Sequence, residues 1–269
     1  MKQSGNLQGE QTGSAEHRAP ERAALLLHGL LGKTVHWGPC AKLLADRFWR
    51  VLVPELPVWD LPRHELGIDA FASRAKDLMD REGIQSAIVG GNSLGGHIAL
   101  QMALRYPQRV AALILTGSSG LFERSFDSRM PHRPSKDWLR AKALDVFYDA
   151  VHVTDSMLDE IKDTICDPRR ALKIIRIAKS AKHDNLRHML PQIRCPVLLV
   201  WGENDTITPP SVAHEFKECL PDAELHFIPR CGHAPMMERP DEFNHIVERF
   251  VDRVFASQRL ATEPAVCCS

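Results

Sequence analysis

A serine between two glycines is the side chain in this sequence best placed to act as a nucleophile. Ser93 lies in the stretch Gly-Asn-Ser-Leu-Gly over 91–95, after an apolar run at 86–90 and before a helix-like stretch at 97–104. The pattern predicts a strand, a tight turn and a helix, because glycines make room for a sharp turn. Such a turn exposes the hydroxyl to a base, which must take its proton before the oxygen can attack.

Two later segments supply candidates for an acid and a base. Asp205 follows a continuous apolar run at 196–202, and His233 follows a second predicted strand at 225–229. Runs of this kind are typical of buried parallel strands. The order along the chain is Ser93, Asp205, His233, each in a loop after a strand. The three residue types match the roles of a Ser-His-Asp triad, so the pattern predicts acyl chemistry through a covalent serine intermediate.

A fourth segment, ahead of the serine, makes the chain resemble the α/β-hydrolase family. A short apolar strand at 23–27 runs into His-Gly-Leu-Leu-Gly over 28–32, which is similar to the family's HG-type loop, and the triad order is also the family's. The resemblance covers about residues 23 to 256. It implies that the backbone N–H groups of Leu30 and Leu94 bind the oxyanion of a tetrahedral intermediate. The family pattern W-G-x-x-D favours Asp205 over its neighbour Glu203 as the acid.

Other polar side chains near these segments have structural interpretations. We expect His28 to support the oxyanion loop, whereas His97, one turn into the helix after the serine, could face either the pocket or the core. His226, in strand alternation, is predicted to be buried, and His245 on the last helix is predicted to be structural. Two further carboxylates are expected at helix ends or on the surface: Asp222 and Asp241.

The order of the remaining elements predicts an α/β fold with a doubly wound, mostly parallel sheet. Helices are expected at 39–48 and 68–81, and strands at 50–54 and 110–116. Strands that alternate with helices in this rhythm are typical of parallel sheets. A final helix is expected at 241–256.

One stretch interrupts the alternation. Between 117 and 194 the chain has helical patterns, such as those at 137–144 and 171–178, and no strand-like run. This predicts a helical cap inserted over the carboxyl ends of the strands, where doubly wound folds bind ligands.

The domain organisation follows from these patterns. Residues 1–20 are predicted to form a disordered arm, since they contain little that could be buried. Residues 21–117 and 195–257 form the predicted α/β-hydrolase core, 118–194 the helical cap and 258–269 a flexible tail. The arm stands where family members usually place an antiparallel hairpin, so a short sheet edge is expected.

Composition points to a small-molecule substrate. The 34 Lys and Arg residues balance 34 Asp and Glu residues, so no broad field attracts nucleic acid or an anionic membrane. No signal peptide or membrane-spanning run is recognisable. We therefore expect a soluble, cytoplasmic enzyme without a nucleic-acid or membrane partner. The oligomeric state is left open.

Cysteine usage argues against a disulfide framework and against a metal site. The seven cysteines are scattered without zinc-ligand spacing, and free thiols in a reducing compartment are expected. They are Cys40, Cys166, Cys195, Cys219, Cys231, Cys267 and Cys268. The C-terminal Cys-Cys-Ser does not fit a prenylation motif. No metal or organic cofactor is expected, because a serine triad requires none.

The substrate class remains divided between two chemistries. The stretch Gly-Asn-Ser-Leu-Gly-Gly-His over 91–97 resembles the elbow of meta-cleavage-product hydrolases, which split carbon–carbon bonds in ring-fission products. Two features depart from that group: the loop at 28–34 lacks its usual H-G-S-G-P-G-A, and Ala234 stands where Trp usually follows the histidine. These departures favour hydrolysis of small carboxylic esters, with carbon–carbon hydrolysis as the alternative. Candidate cations for a dienoate carboxylate, Arg124, Arg129 and Arg133, are more typical of a solvated face.

A third hypothesis belongs to a different class of protein. Plant hormone receptors that resemble α/β hydrolases bind ligands on the same scaffold, and they can keep an intact triad. A multiple-turnover assay distinguishes an enzyme from a ligand receptor, because a receptor would bind or react slowly and stall.

Overall fold

The computed structural model describes residues 22–47, 49–122 and 134–262, with the backbone alone for 257–262. The predicted N-terminal arm, the arginine candidates at 124, 129 and 133, and the Cys-Cys-Ser ending lie outside the described residues. No helix in the described ranges is both long enough and apolar enough to cross a membrane.

A six-stranded sheet forms the centre of the described chain, and all its pairings are parallel. Its strands are β1 (Ala23–Leu27), β2 (Arg50–Leu52), β3 (Ala87–Asn92), β4 (Val110–Thr116), β5 (Val197–Gly202) and β6 (Ala223–Ile228). Their order across the sheet is β2-β1-β3-β4-β5-β6. The chain moves outward from β1 to β2 and then returns past β1 to β3. The direction of winding therefore reverses between β1 and β3, which is where open α/β sheets form a binding crevice at their carboxyl ends.

Both faces of the four central strands β1, β3, β4 and β5 are buried, as the continuous apolar runs predict. Neighbouring side chains along a strand point to opposite faces, so Val89 joins one core cluster and Ile88 the other. The helices are α1 (Gly38–Asp46), α2 (Ile68–Arg81), α3 (Leu94–Arg105), α4 (Lys136–Leu144), α5 (Asp155–Cys166), α6 (Pro168–His183), α7 (Pro210–Cys219), α8 (Pro235–Glu238) and α9 (Pro240–Thr262). Phe71 of α2 and Phe216 of α7 pack on one face, whereas Phe243 of α9 packs on the other.

Between β4 and β5 the described residues form the helices α4, α5 and α6. Each begins at a side chain that accepts backbone N–H bonds of the first turn: Ser135, Thr154 and Asp167. Leu158 of α5 and Ile177 of α6 are fully buried, but they belong to the two clusters of the sheet rather than to a third core. The inserted helices thus contribute buried side chains to the same two clusters as the sheet.

Several predicted boundaries shift. The first predicted helix ends at Asp46, and β2 stops at Leu52 rather than at 54, because it is an edge strand that pairs only with β1. Helix α9 continues to Thr262, past the predicted end at 256 and into the predicted tail. The sequence explains this extension, since no glycine or proline interrupts it before Pro264.

The prediction that His226 is buried is wrong. Its side chain is 39% exposed, because β6 forms the other edge of the sheet and has only one neighbouring strand.

Candidate active site

Ser93 occupies a strained turn between β3 and α3. Its backbone angles are φ 53° and ψ −117°, in a region that costs a non-glycine residue about 1–3 kcal/mol. Hydrogen bonds hold the turn on both sides: the Ser93 N–H donates to the Thr116 carbonyl at 3.1 Å, and the Ser93 carbonyl accepts from the Ser119 N–H at 3.2 Å. The structure therefore has the strand, sharp turn and helix that a nucleophile elbow requires.

The glycines around Ser93 are required by close backbone approach. A Cβ atom on Gly95 would lie 2.1 Å from the Leu27 carbonyl oxygen, and one on Gly91 would lie 2.2 Å from the Gly95 carbonyl oxygen. Neither neighbour is a movable side-chain end. These contacts let α3 begin directly against the ends of β1 and β3.

The Asp205 carboxylate is fully buried, and four donors surround it. Its Oδ1 accepts from the backbone N–H groups of Ile207 at 2.8 Å and Thr208 at 2.9 Å. Its Oδ2 accepts from the Thr208 hydroxyl at 2.8 Å and lies 2.8 Å from Nδ1 of His233. The neighbouring Glu203 is exposed. Of the two rival carboxylates, Asp205 is thus the one that contacts the histidine.

The contact with Asp205 sets the protonation pattern of the His233 ring. Because the carboxylate can only accept, Nδ1 carries the proton and donates it to Asp205. A neutral imidazole with a proton on Nδ1 has a lone pair on Nε2. That nitrogen is the one a general base needs.

Two residues that the sequence did not single out connect His233 to the serine turn. Asn92, directly before Ser93, donates from Nδ2 to the His233 carbonyl at 2.9 Å and to the Thr116 carbonyl at 3.0 Å. Gly117, at φ +51°, lets the imidazole approach, because a Cβ there would lie 2.7 Å from its Nδ1. The structure therefore gathers the three predicted triad residues where β3, β5 and β6 end. Asn92 carried one signal, its position inside the G-x-S-x-G motif.

The predicted oxyanion loop lies against the serine. A Cβ on Gly29 would meet the Ser93 Cβ at 3.2 Å, and the Gly32 N–H closes a tight turn on the Gly29 carbonyl at 2.9 Å. Leu31 has a left-handed φ of 62° within that turn. Leu94 is the first residue of α3, and N–H groups in a first helical turn have no acceptor inside the helix. The roles of the Leu30 and Leu94 amides remain a prediction, and this placement is consistent with it.

The histidines of the predicted oxyanion loop and of α3 have structural contacts. His28 is buried, with Nδ1 2.8 Å from the Gly29 carbonyl, while its Nε2 accepts from the Leu56 N–H at 3.0 Å. For His97 the sequence left pocket and core open. Its side chain is fully buried, and its Nε2 lies 3.1 Å from the Asp184 carboxylate after α6.

Cys231, two residues before His233, is not a candidate nucleophile. Burial raises the pKa of its thiol far above the ordinary range, and the negative charge of Glu238 raises this pKa further. At neutral pH it is therefore a protonated thiol, whereas thiolate is the reactive form. All five cysteines in the described residues are free thiols.

The geometry can be compared with known proteins. A model of the alpha/beta hydrolase family matches residues 24–246. The chain belongs to this family. As a family member it is a hydrolase, and its sheet order and parallel strands agree with that family's fold.

Named relatives indicate which hydrolases of this family the chain is similar to. A Pseudomonas protein named 2-hydroxy-6-oxononadienedioate/2-hydroxy-6-oxononatrienedioate hydrolase is 32% identical over 198 residues, 68% of this chain and 69% of that protein. A protein of the same name from Burkholderia vietnamiensis is 29% identical over 86% of this chain and 87% of its own length. The crystal structure of an alpha/beta hydrolase from a lagoon-sediment metagenome is 34% identical, with a TM-score of 0.71, and covers 87% of this chain and 91% of that chain. These similarities relate the chain to the meta-cleavage-product hydrolases.

Proposed function

We propose that the chain is a serine hydrolase with Ser93 as nucleophile, His233 as general base and Asp205 as the acid that orients it. The observation that carries this proposal is the buried 2.8 Å contact between Asp205 and His233 Nδ1, at a histidine whose backbone is bonded to the residue before Ser93. A buried, multiply bonded carboxylate at a histidine whose other nitrogen can act as a base is the arrangement of a serine triad.

The reaction would begin when His233 Nε2 takes the Ser93 proton. The serine oxygen then attacks a carbonyl carbon, and the Leu30 and Leu94 N–H groups stabilise the negative oxygen. His233 returns the proton to the departing group, and a water molecule activated by the same histidine releases the acyl group from Ser93. The Asp205 carboxylate supports the imidazolium that forms in each half of the cycle.

A fluorophosphonate probe tests the nucleophile. Only a base-activated serine attacks phosphorus readily, so we expect the probe to label Ser93 alone. Ser93→Ala should lose labelling and lower kcat on the order of 10⁶-fold, as in serine proteases. Its melting temperature should stay near that of the unmodified protein. Labelling that persists in Ser93→Ala would show that another residue is the nucleophile.

For the substrate, the relatives favour hydrolysis of a carbon–carbon bond in a ring-fission product. Several curated relatives are named for that reaction, and they match up to 87% of this chain at 29–32% identity. Cleavage of this kind first requires a proton to reach a substrate carbon, so that the dienol becomes a ketone. Ser93 then attacks the 6-oxo carbonyl, and the new ketone takes up the electron pair released when the carbon–carbon bond breaks. We propose this class first and place it ahead of the ester chemistry that the sequence alone favours.

Carboxylic esters are the second candidate, and two local departures support them. Ala234 follows the proposed base, and the loop at 28–32 is His-Gly-Leu-Leu-Gly. An ester needs only the nucleophile, the oxyanion donors and an apolar slot. This chemistry therefore remains compatible with the site.

A substrate panel separates the candidates. The kcat/KM values for a 2-hydroxy-6-oxo-dienoate and for p-nitrophenyl esters of graded chain length should be measured side by side. A dienoate that exceeds every ester supports carbon–carbon hydrolysis, and the reverse order supports an esterase. Turnover that stalls after one equivalent for all of them would support a ligand receptor.

A further inference from the structure

A buried carboxylate that the proposed reaction does not use lies next to the histidine loop. Glu238 ends α8 and is only 4% exposed. Buried charges need compensating donors, since removal from water is costly. Hydrogen-bond donors should therefore surround the Glu238 carboxylate.

Both oxygens of Glu238 accept backbone N–H groups. Oε1 accepts from Gly232, directly before the proposed base, at 2.8 Å. Oε2 accepts from Tyr148 at 2.8 Å and from Asp149 at 3.3 Å, just after α4. One side chain thus connects the histidine loop to the region inserted between β4 and β5.

The inserted partner is a short stretch that we call the bridging segment, residues 145–149. It contacts both halves of the acid–base pair. The Asp145 carbonyl accepts from the hydroxyl of Thr206, which follows the acid, at 2.7 Å. The Val146 carbonyl accepts from the N–H of His233 itself at 2.8 Å. Together with Glu238, these bonds fix the backbone on both sides of the catalytic contact.

Close packing leaves the histidine loop and the bridging segment little freedom to move relative to each other. A Cβ on Gly232 would lie 2.5 Å from the Val146 carbonyl oxygen and 3.0 Å from Glu238 Oε1. Any shift of the bridging segment is therefore transmitted to the histidine loop.

We propose that Glu238 is a positioning residue for His233: its carboxylate clamps the histidine loop to the bridging segment and so aims Nε2 at Ser93. This inference rests on the proposed function, in which His233 is the base. The clamp needs a group that only accepts, because three N–H donors converge on it. A glutamine of the same shape would present an NH₂ group to at least one of those donors, and the loop would have to move.

The matched pair Glu238→Gln and Glu242→Gln tests the clamp. Glu242 is an exposed carboxylate in the first turn of α9, so its change removes the same charge while the three N–H bonds to Glu238 stay in place. Misplacement of a catalytic group by about 1 Å can lower rates on the order of 10²-fold. We expect Glu238→Gln to lower kcat and the rate of Ser93 fluorophosphonate labelling by up to that factor, with KM little changed. Glu242→Gln should behave like the unmodified protein.

Proton NMR supplies a readout that a role in stability alone would not move. The Nδ1 proton of His233, shared with Asp205, should give a strongly downfield resonance. It should shift or broaden in Glu238→Gln and stay in place in Glu242→Gln. If the unmodified protein is labelled at Ser93 but Glu238→Gln keeps its labelling rate and its resonance, the positioning role is wrong. If the unmodified protein is never labelled at Ser93, the proposed function fails, and the resonance still decides whether Glu238 positions the histidine.

If Glu238→Gln does not fold, a second variant tests the bridging segment. Thr206→Val removes the bond from the acid loop to Asp145 at an exposed residue, while Thr206→Ser keeps the hydroxyl. The valine variant should move the resonance in the same way with a smaller loss of kcat, and the serine variant should not. An unmoved resonance in Thr206→Val would overturn the idea that the bridging segment holds the acid–base pair.

Discussion

The two sides of the site are built by different physical means. On the nucleophile side, the position of Ser93 follows from backbone atoms in contact, as where Gly95 meets the Leu27 carbonyl. On the acid–base side, the positions of Asp205 and His233 follow from hydrogen bonds of buried side chains. An added atom that overlaps a fixed backbone atom cannot be accommodated in part. By contrast, each hydrogen bond contributes only about 0.5–1.5 kcal/mol to the free energy of unfolding. A substitution that adds a Cβ at such a backbone contact should therefore act as all or none, and one that removes a hydrogen bond should act by degrees.

Gly95→Ala should have the largest effect, on the nucleophile side. The added Cβ would lie 2.1 Å from a carbonyl oxygen of β1, so strand and helix cannot both keep their places. We expect loss of soluble, folded protein, measured by yield and circular dichroism. Gly38→Ala is the matched control, because it lies in α1 with no atom within 4 Å of the new Cβ and should be neutral or stabilising. A folded Gly95→Ala enzyme with normal kinetics would contradict the steric account of this side.

Asp205→Asn should have the next largest effect. The fold should persist, but kcat should fall on the order of 10⁴-fold, because an amide stabilises the wrong tautomer of the histidine. Glu203→Gln, two residues away and exposed, should leave kcat nearly unchanged. Steady-state kinetics of the two variants decide between them. Equal losses would mean that charge in the loop matters more than contact with the ring.

Asn92→Ala should give an intermediate loss. It removes the Nδ2 donor that the His233 and Thr116 carbonyls share, while the Thr116 carbonyl keeps the Ser93 N–H, and the loss of a hydrogen bond costs about 0.5–1.5 kcal/mol. We expect lower thermal stability together with a reduced kcat, smaller than the loss in Asp205→Asn. The exposed Asn204 supplies the control, since Asn204→Ala keeps that residue's backbone bond to Cys231. If Asn92→Ala has a lower melting temperature but an unchanged kcat, the asparagine stabilises the fold and does not position His233.

Thiol alkylation should have the smallest effect on activity, and it tests how tightly the acid–base side is packed. Burial raises the pKa of Cys40 to about 12 and that of Cys231 in the same direction, so at pH 8 roughly 10⁻⁴ of the Cys40 thiol is ionised. Among the five cysteines that the structure describes, the exposed Cys166 should react with iodoacetamide first. Reactivity of the buried thiols should rise only as pH approaches these raised pKa values. Rapid modification of Cys231 in peptide mass spectra would show an open histidine loop.

Local sequence determined the fold class and the places where the chemistry should lie. The strands that end near Ser93 and Asp205 are apolar runs, and the strand before His233 alternates apolar and polar residues. Strand formation and turn chemistry depend on neighbours along the chain. Parallel strands end at the same edge, so loops after β3, β5 and β6 had to converge. The order of the four motifs therefore indicated the family before any contact was known.

Tertiary structure alone decided which polar groups serve these loops. Asn92 bonds to a carbonyl 141 residues away, and Glu238 bonds to amides 89 and 90 residues away. Periodicity reports only which face of an element is apolar, so it could not place His97 against Asp184 or foresee that His226 would lie on an edge strand. Burial and distant hydrogen-bond partners are properties of the packed chain, because each depends on segments that come together only when the sheet forms.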